Sequence, residues 1–201
     1  MREVLNMIWI NSIMDGAGLF VKFAGPAFLI LELVKMLITK KFRVADFLLW
    51  SAFLFYLCCV FALVFLPLPS VEEALHLTRQ AELMPLHCLT DVAKKPVRGT
   101  LLIVFNVLMT VPFGMFLRYY FGMDAKRVLL YSLALTTLIE FGQFSGLFFL
   151  FKGSYRLFEI DDLILNTLGG LLGYLVTCKA EKWIPAWRKS YVTVKLRVAE
   201  A

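Results

Sequence analysis

Histidine is nearly missing from this chain: 201 residues contain His76 and His87, and both fall in one polar stretch between long apolar runs. No apolar run therefore carries an imidazole that could act as an acid or base. The four cysteines, Cys58, Cys59, Cys88 and Cys178, form neither a CxxC pair nor a Cys/His ligand spacing, which leaves no basis for a zinc site or a disulfide framework. Charge is scarce too, at 18% of residues. Residues 1–16 lack a basic stretch followed by an apolar core and a small-residue cleavage site, so no cleavable signal peptide is expected and the apolar runs themselves should direct insertion.

What the chain does contain is apolar surface. It is 60% hydrophobic and 15% aromatic, with a mean hydropathy of +0.77, more than a water-soluble domain can bury. This is the composition of an integral membrane protein. Its runs approach the roughly 20 residues that a membrane-crossing helix needs, well beyond the roughly 10 of a barrel strand. The expected fold class is all-α, a polytopic transmembrane bundle of about five spans near residues 16–39, 44–66, 100–121, 127–151 and 162–178. We read residues 1–201 as a single membrane domain: two scaffold spans (16–66), an outer loop (67–99), a three-helix core (100–178) and a basic tail (179–201).

Charge orients these spans. Lys40, Lys41 and Arg43, the turn from Arg118 to Arg127, and the tail residues Lys179, Lys182, Arg188, Lys189, Lys195 and Arg197 share one side if five spans alternate, and the positive-inside rule makes that side the cytoplasm. The N-terminus, the 67–99 loop and the 152–161 hairpin then face outward. In the loop, Glu72, Glu73, Glu82 and Asp91 balance Arg79, Lys94, Lys95 and Arg98. The net charge of +6 thus belongs to the inner face and is a topology signal, with no reason to invoke nucleic acid. Residues 1–15 suggest a short interfacial helix, and Trp183, Trp187 and Tyr191 suggest a tail that begins among the headgroups.

The first two spans look like scaffold, with Glu32 and Lys35 one turn apart near the inner end and able to pair, and with Cys58 and Cys59 as packing residues. The last three spans differ. Asn106, Thr110 and Gly114 share a helical face, with Pro112 interrupting the backbone ladder on that turn. Thr136, Glu140 and Gln143 share another, and Asp162, Asn166, Gly169 and Gly173 a third. Gly142/Gly146 and Gly169/Gly173 are GxxxG patches that suit close helix packing. A rise of about 1.5 Å per residue puts Asn106 roughly 9 Å below the outer end of its span, Gln143 roughly 12 Å, Glu140 roughly 16 Å and Asn166 roughly 6 Å. All four lie in the outer half of the bilayer. A carboxylate there costs several kcal/mol unless a polar cluster completes it. We therefore expect an outward-facing polar pocket lined by Asn106, Glu140, Gln143 and Asn166. Arg156, Glu159, Asp161 and Asp162 should cap it, with Arg156 ion-paired to Asp161 or Asp162.

Asn106…Pro112-Phe-Gly114, then Glu140-x-x-Gln143, then Arg156-x4-Asp161-Asp162-x3-Asn166-x2-Gly169-Gly170-x2-Gly173-Tyr174 run in the order and approximate spacing of the VanZ-like family, which this chain resembles from Met84 onward. Met84-Pro85-Leu86 looks like a variant of that family's Ile-Pro-Phe segment, and Glu159 stands where an aspartate is common. The first span is additional to the four-helix family core. The resemblance implies a multi-pass protein of the bacterial inner membrane, in a family whose namesake contributes to low-level resistance against teicoplanin-type lipoglycopeptides.

Three functions fit the cluster. It could bind an outer-leaflet lipid or cell-wall intermediate, which suits a concave site with few polar groups, or exclude a lipid-tailed antibiotic such as a lipoglycopeptide from the membrane surface. It could be catalytic, with Glu140 or Asp162 as general base, Arg156 as phosphate clamp, and a divalent cation between Asp161, Asp162 and Glu140. Or it could be structural, a closed polar network that fixes helix packing. No resident cofactor or metal is called for by the sequence, and membrane lipids are the expected partners.

Overall fold

The computed structural model describes residues 2–154, 156–181 and 183, with side chains from Ile10 onward. The expectations for Lys182, Trp187, Arg188, Lys189, Tyr191, Lys195 and Arg197 lie outside the described residues. The chain divides into two compact units, Met1–Glu72 and Glu73–Ala201.

In the first unit, α1 (Arg2–Leu19) runs through a π-helical segment (Phe20–Ala24) directly into α2 (Gly25–Thr39). The widened turn follows from Pro26, which has no N–H and whose ring crowds the preceding carbonyls. Gly25 N–H bonds instead to Phe20 O. The short interfacial helix expected over residues 1–15 is thus not a separate element, since the helix is unbroken into the first span. The α3 helix (Val44–Phe65) returns alongside α1, and Gly16 sits so close to the Cys59 backbone that any Cβ there would collide with it. Glu32 and Lys35 pair at 2.9 Å, and Lys40 ends α2 in the left-handed conformation.

The second unit follows a connecting helix, α4 (Val71–Leu75), and contains β1 (Ala81–Glu82), α5 (His87–Lys94), α6 (Pro96–Phe121), α7 (Ala125–Phe144), the turn α8 (Gly146–Phe149), β2 (Phe158–Glu159) and α9 (Ile160–Ala180). Helices α6 and α9 pack over their length through small residues. Gly114 lies against the Gly170 backbone, Gly169 against the Val107 carbonyl and Thr110, and Gly173 against the Val111 carbonyl. On the other face of α9, Gly170 meets Ser132 of α7. This is the close-approach logic expected of Gly169/Gly173. The Gly142/Gly146 pair does something else. The α7 helix stops at Phe144, and Gly146, Leu147, Phe148 and Phe149 all take positive φ. Ser145 Oγ accepts the Phe148 N–H at 3.0 Å and the Gly146 carbonyl the Phe151 N–H. Gly146 therefore serves a left-handed turn that only glycine enters without strain.

Among the described residues four helices are long and apolar enough to cross a membrane: Ile10–Thr39, Val44–Phe65, Pro96–Phe121 and Ile160–Ala180. The expected fourth span, α7, is not among them. It is shorter than the 127–151 run, and its mean hydropathy is lowered by Ser132, Thr136, Glu140 and Gln143. All four of these side chains are buried, while Leu129, Leu130, Leu133, Leu138 and Phe141 are exposed. At the far end of this unit Arg118 forms a two-pronged pair with Glu181, both contacts 2.9 Å, and also donates to the Met123 carbonyl. Its guanidinium stacks over the Tyr174 ring. The α6–α7 turn is thereby tied to the end of α9.

Candidate functional site: a capped carboxylate cluster

The cluster is built on the first turns of α9, where Asp161 and Asp162 suit the positive end of the helix. Asp161 is turned toward the loop. Its carboxylate accepts the backbone N–H of Leu86 at 2.6 Å and of Cys88 at 2.7 Å. These bonds hold Leu86 in a left-handed conformation, φ 64°, that a leucine adopts only when its surroundings fix it. Two more fastenings complete this cap. Strands β1 and β2 pair in parallel, Ala81 opposite Phe158 and Glu82 opposite Glu159. Ser154 Oγ accepts the Gln80 N–H at 3.0 Å and donates to the Thr78 carbonyl at 3.2 Å. Gly153 presses on the Leu77 carbonyl, where a Cβ would not fit. The segment over residues 77–91 is thus a folded cover on the start of α9.

Beneath the cover, three helices contribute side chains. Asn106 of α6 donates to the Asp162 carboxylate. Glu140 of α7 accepts the Glu159 N–H at 3.3 Å. Asn166 of α9 donates its amide N–H to Thr136 Oγ1 at 3.1 Å, and its backbone carbonyl accepts from Thr110 Oγ1. Glu140 and Asn166 are each 2% exposed, whereas Asp162, Asn106 and Glu159 are part-exposed. The cluster thus has a buried floor and an accessible rim. Burial, with Asp91 adding like charge, pushes the Glu159 carboxyl above its ordinary range.

The predicted residues are placed unequally. Asn106, Glu140, Asp162 and Asn166 come to one end of the three helices, but they connect through Thr110, Thr136 and the Glu159 backbone more than through one another. Gln143 is buried one turn beyond Glu140. Arg156 is exposed, and at the two aspartates the ion pair expected of it is replaced by backbone amides on Asp161 and by Asn106 on Asp162. Sequence reasoning set both histidines apart from the cluster, yet the fold brings His87 to act on Asp161 and Glu159. Cys88 also reaches Asp161; burial and that carboxylate push its thiol up, away from the reactive thiolate. Cys88, Ser154 and the Arg118–Glu181 pair carried no signal in the sequence. Among the described residues no group of three His, Cys, Asp or Glu side chains is spaced to hold a metal ion. The divalent site considered between Asp161, Asp162 and Glu140 is not assembled, because Asp161 faces the cap.

Long apolar helices, a glycine-lined α6–α9 contact and a capped polar cluster at one end define a helical membrane protein. Residues 53–181 match the family model described as VanZ/LLP1, and the chain belongs to that family. No curated protein and no solved structure matches it.

Proposed function

We propose that this protein sits in the bacterial inner membrane as a multi-pass bundle and binds the headgroup of an outer-leaflet amphiphile at the α6–α7–α9 cluster. In this reading α7 is the fourth of five crossings, its polar stripe turned to α9 and its leucines to lipid. The N-terminus and the cap face outward, and the basic turns and tail face the cytoplasm. Pairing of β1 with β2 supports one side for the loop and the hairpin, and the Arg118–Glu181 pair supports the opposite side for the α6–α7 turn and the start of the tail. Single cysteines replacing Glu72 or Lys152 should react with membrane-impermeant maleimide on intact cells, and one replacing Lys126 should not. Labelling of the Lys126→Cys protein from outside would reverse the orientation.

The observation that carries the binding reading is the graded burial of the cluster: Glu140 and Asn166 at 2% exposure lie under part-exposed Asp162 and Asn106. Ionisable groups inside helices of a membrane protein are costly, and they are kept where they serve a ligand or pathway. A headgroup would enter past Asp162 while its acyl chains stay along the exposed leucines. The amphiphiles considered are an outer-leaflet lipid, a lipid-linked cell-wall intermediate and a teicoplanin-type lipoglycopeptide. Binding the last would limit its action. A photoreactive phospholipid incorporated into membranes holding the full-length protein tests this. Crosslinking should concentrate on residues 84–88 and 156–166 and fall severalfold in Asp162→Asn, whereas uniform labelling of every exposed helix in both proteins would overturn the site.

A further inference from the structure

The chemistry of the cluster narrows the headgroup. Glu140 accepts one hydrogen bond, from the Glu159 N–H, and Asp162 one, from Asn106. An ionised carboxylate offers about four acceptor positions, so both are far from satisfied. Among the described residues neither is paired with a lysine or an arginine. A third acceptor stands one helical turn along α9 from Asp162: Asn166 Oδ1 is buried with no hydrogen-bond partner. Its position is fixed from both sides. Asn166 stands one helical turn after Asp162 on α9, and its amide nitrogen is anchored to Thr136, one turn before Glu140 on α7. The amide therefore spans the gap between the two helices directly below the two carboxylates. The cluster is rich in carboxyl and amide oxygens and poor in N–H donors. A buried acceptor left without a donor costs about 1–3 kcal/mol, more when it is charged. The missing partner must bring positive charge and N–H groups together.

Resting on the amphiphile-binding reading above, we infer that the headgroup is a primary ammonium, held by Glu140, Asp162 and Asn166 Oδ1 as its three acceptors. An ammonium carries three donors on one compact charge, which matches the three acceptors in number. A quaternary ammonium brings the charge without the donors. A phosphate brings further acceptors to a site that already has them in excess. Among the described residues no group of three His, Cys, Asp or Glu side chains is spaced to hold a divalent cation. Arg156 is exposed at the hairpin and forms no part of this acceptor set.

Short-chain lipids separate these cases on the wild-type protein alone. Full-length protein in maltoside micelles would be titrated with dihexanoyl phosphatidylethanolamine, dihexanoyl phosphatidylcholine, dihexanoyl phosphatidic acid and free ethanolamine, with affinity read by calorimetry. Phosphatidylethanolamine should bind roughly tenfold or more tighter than phosphatidylcholine or phosphatidic acid, the worth of about one charge-assisted hydrogen bond. Glu140→Gln and Asp162→Asn should each remove that preference by weakening phosphatidylethanolamine binding. Ethanolamine should bind more weakly than the lipid; equal binding would keep the ammonium but overturn an amphiphile as its source. Equal binding of all three lipids, or tightest binding of phosphatidic acid, would overturn the ammonium and leave the amphiphile reading standing. Absence of saturable binding by any lipid would overturn both.

Discussion

Replacing Gly114 by valine should cost more than about 3 kcal/mol and leave little folded protein after detergent extraction. At that position a Cβ would run into the Gly170 carbonyl, which is backbone and cannot rotate aside. Relief requires α6 and α9 to separate. Separation would also undo the contacts of Gly169 with Val107 and Thr110, and of Gly173 with Val111. The polar cluster depends on the same approach, because Thr110 reaches the Asn166 carbonyl and Asn106 reaches Asp162 across that gap. In the membrane no water-driven hydrophobic gain holds helices together, so close packing of small residues carries much of the association. Gly18→Val is the matched control. Nothing lies within 4 Å of a Cβ built on Gly18, so its unfolding temperature by tryptophan fluorescence should stay close to that of the wild type. An equally large fall in both proteins would place the sensitivity in helix propensity rather than in the α6–α9 contact.

Asp161→Ala should release the cap. Two hydrogen bonds from backbone amides to a buried carboxylate are worth about 1.5–3 kcal/mol each, and the left-handed Leu86 loses what fixes it. Hydrogen exchange at the Leu86 and Cys88 amides should rise by orders of magnitude in this variant, and the total cost should approach 3–5 kcal/mol. Asp161→Asn keeps one acceptor oxygen and should show an intermediate loss, with Cys88 or Leu86 protected but not both. Strong protection of both amides in Asp161→Ala would mean that the strand pair and Ser154 hold the cap without Asp161.

The helical framework and the inward faces were legible because helix period and cost act locally. Apolar length marked four of the five expected spans, and the spacing of Thr136–Glu140–Gln143 and Asn166–Gly169–Gly173 gave their buried faces correctly. α7 falls short in mean hydropathy because of its polar side chains, and these point inward. The turn after Phe144 was missed because an apolar run, Leu147-Phe148-Phe149-Leu150, reads as continuing helix. There the left-handed backbone is set by Gly146 and Ser145 and not by hydrophobicity. The partners of Asp161 were invisible for another reason. They are backbone amides more than 70 residues away, and a backbone donor leaves no mark in the sequence. Arg156 was paired by proximity in sequence, yet the turn exposes it. Arg118 and Glu181, 63 residues apart, find each other only once α6 and α9 are packed.

The measurement closest to the central claim is a structure of the full-length protein in lipid nanodiscs containing phosphatidylethanolamine. The account predicts density for a headgroup within hydrogen-bond distance of Asp162 and Glu140, entering between the 84–88 segment and the start of α9, with its acyl chains along α6 or α7. A cluster closed on itself, with Asn166 Oδ1 and both carboxylates bonded to protein groups and lipid confined to the outer helix faces, would contradict it and leave the cluster a purely structural network.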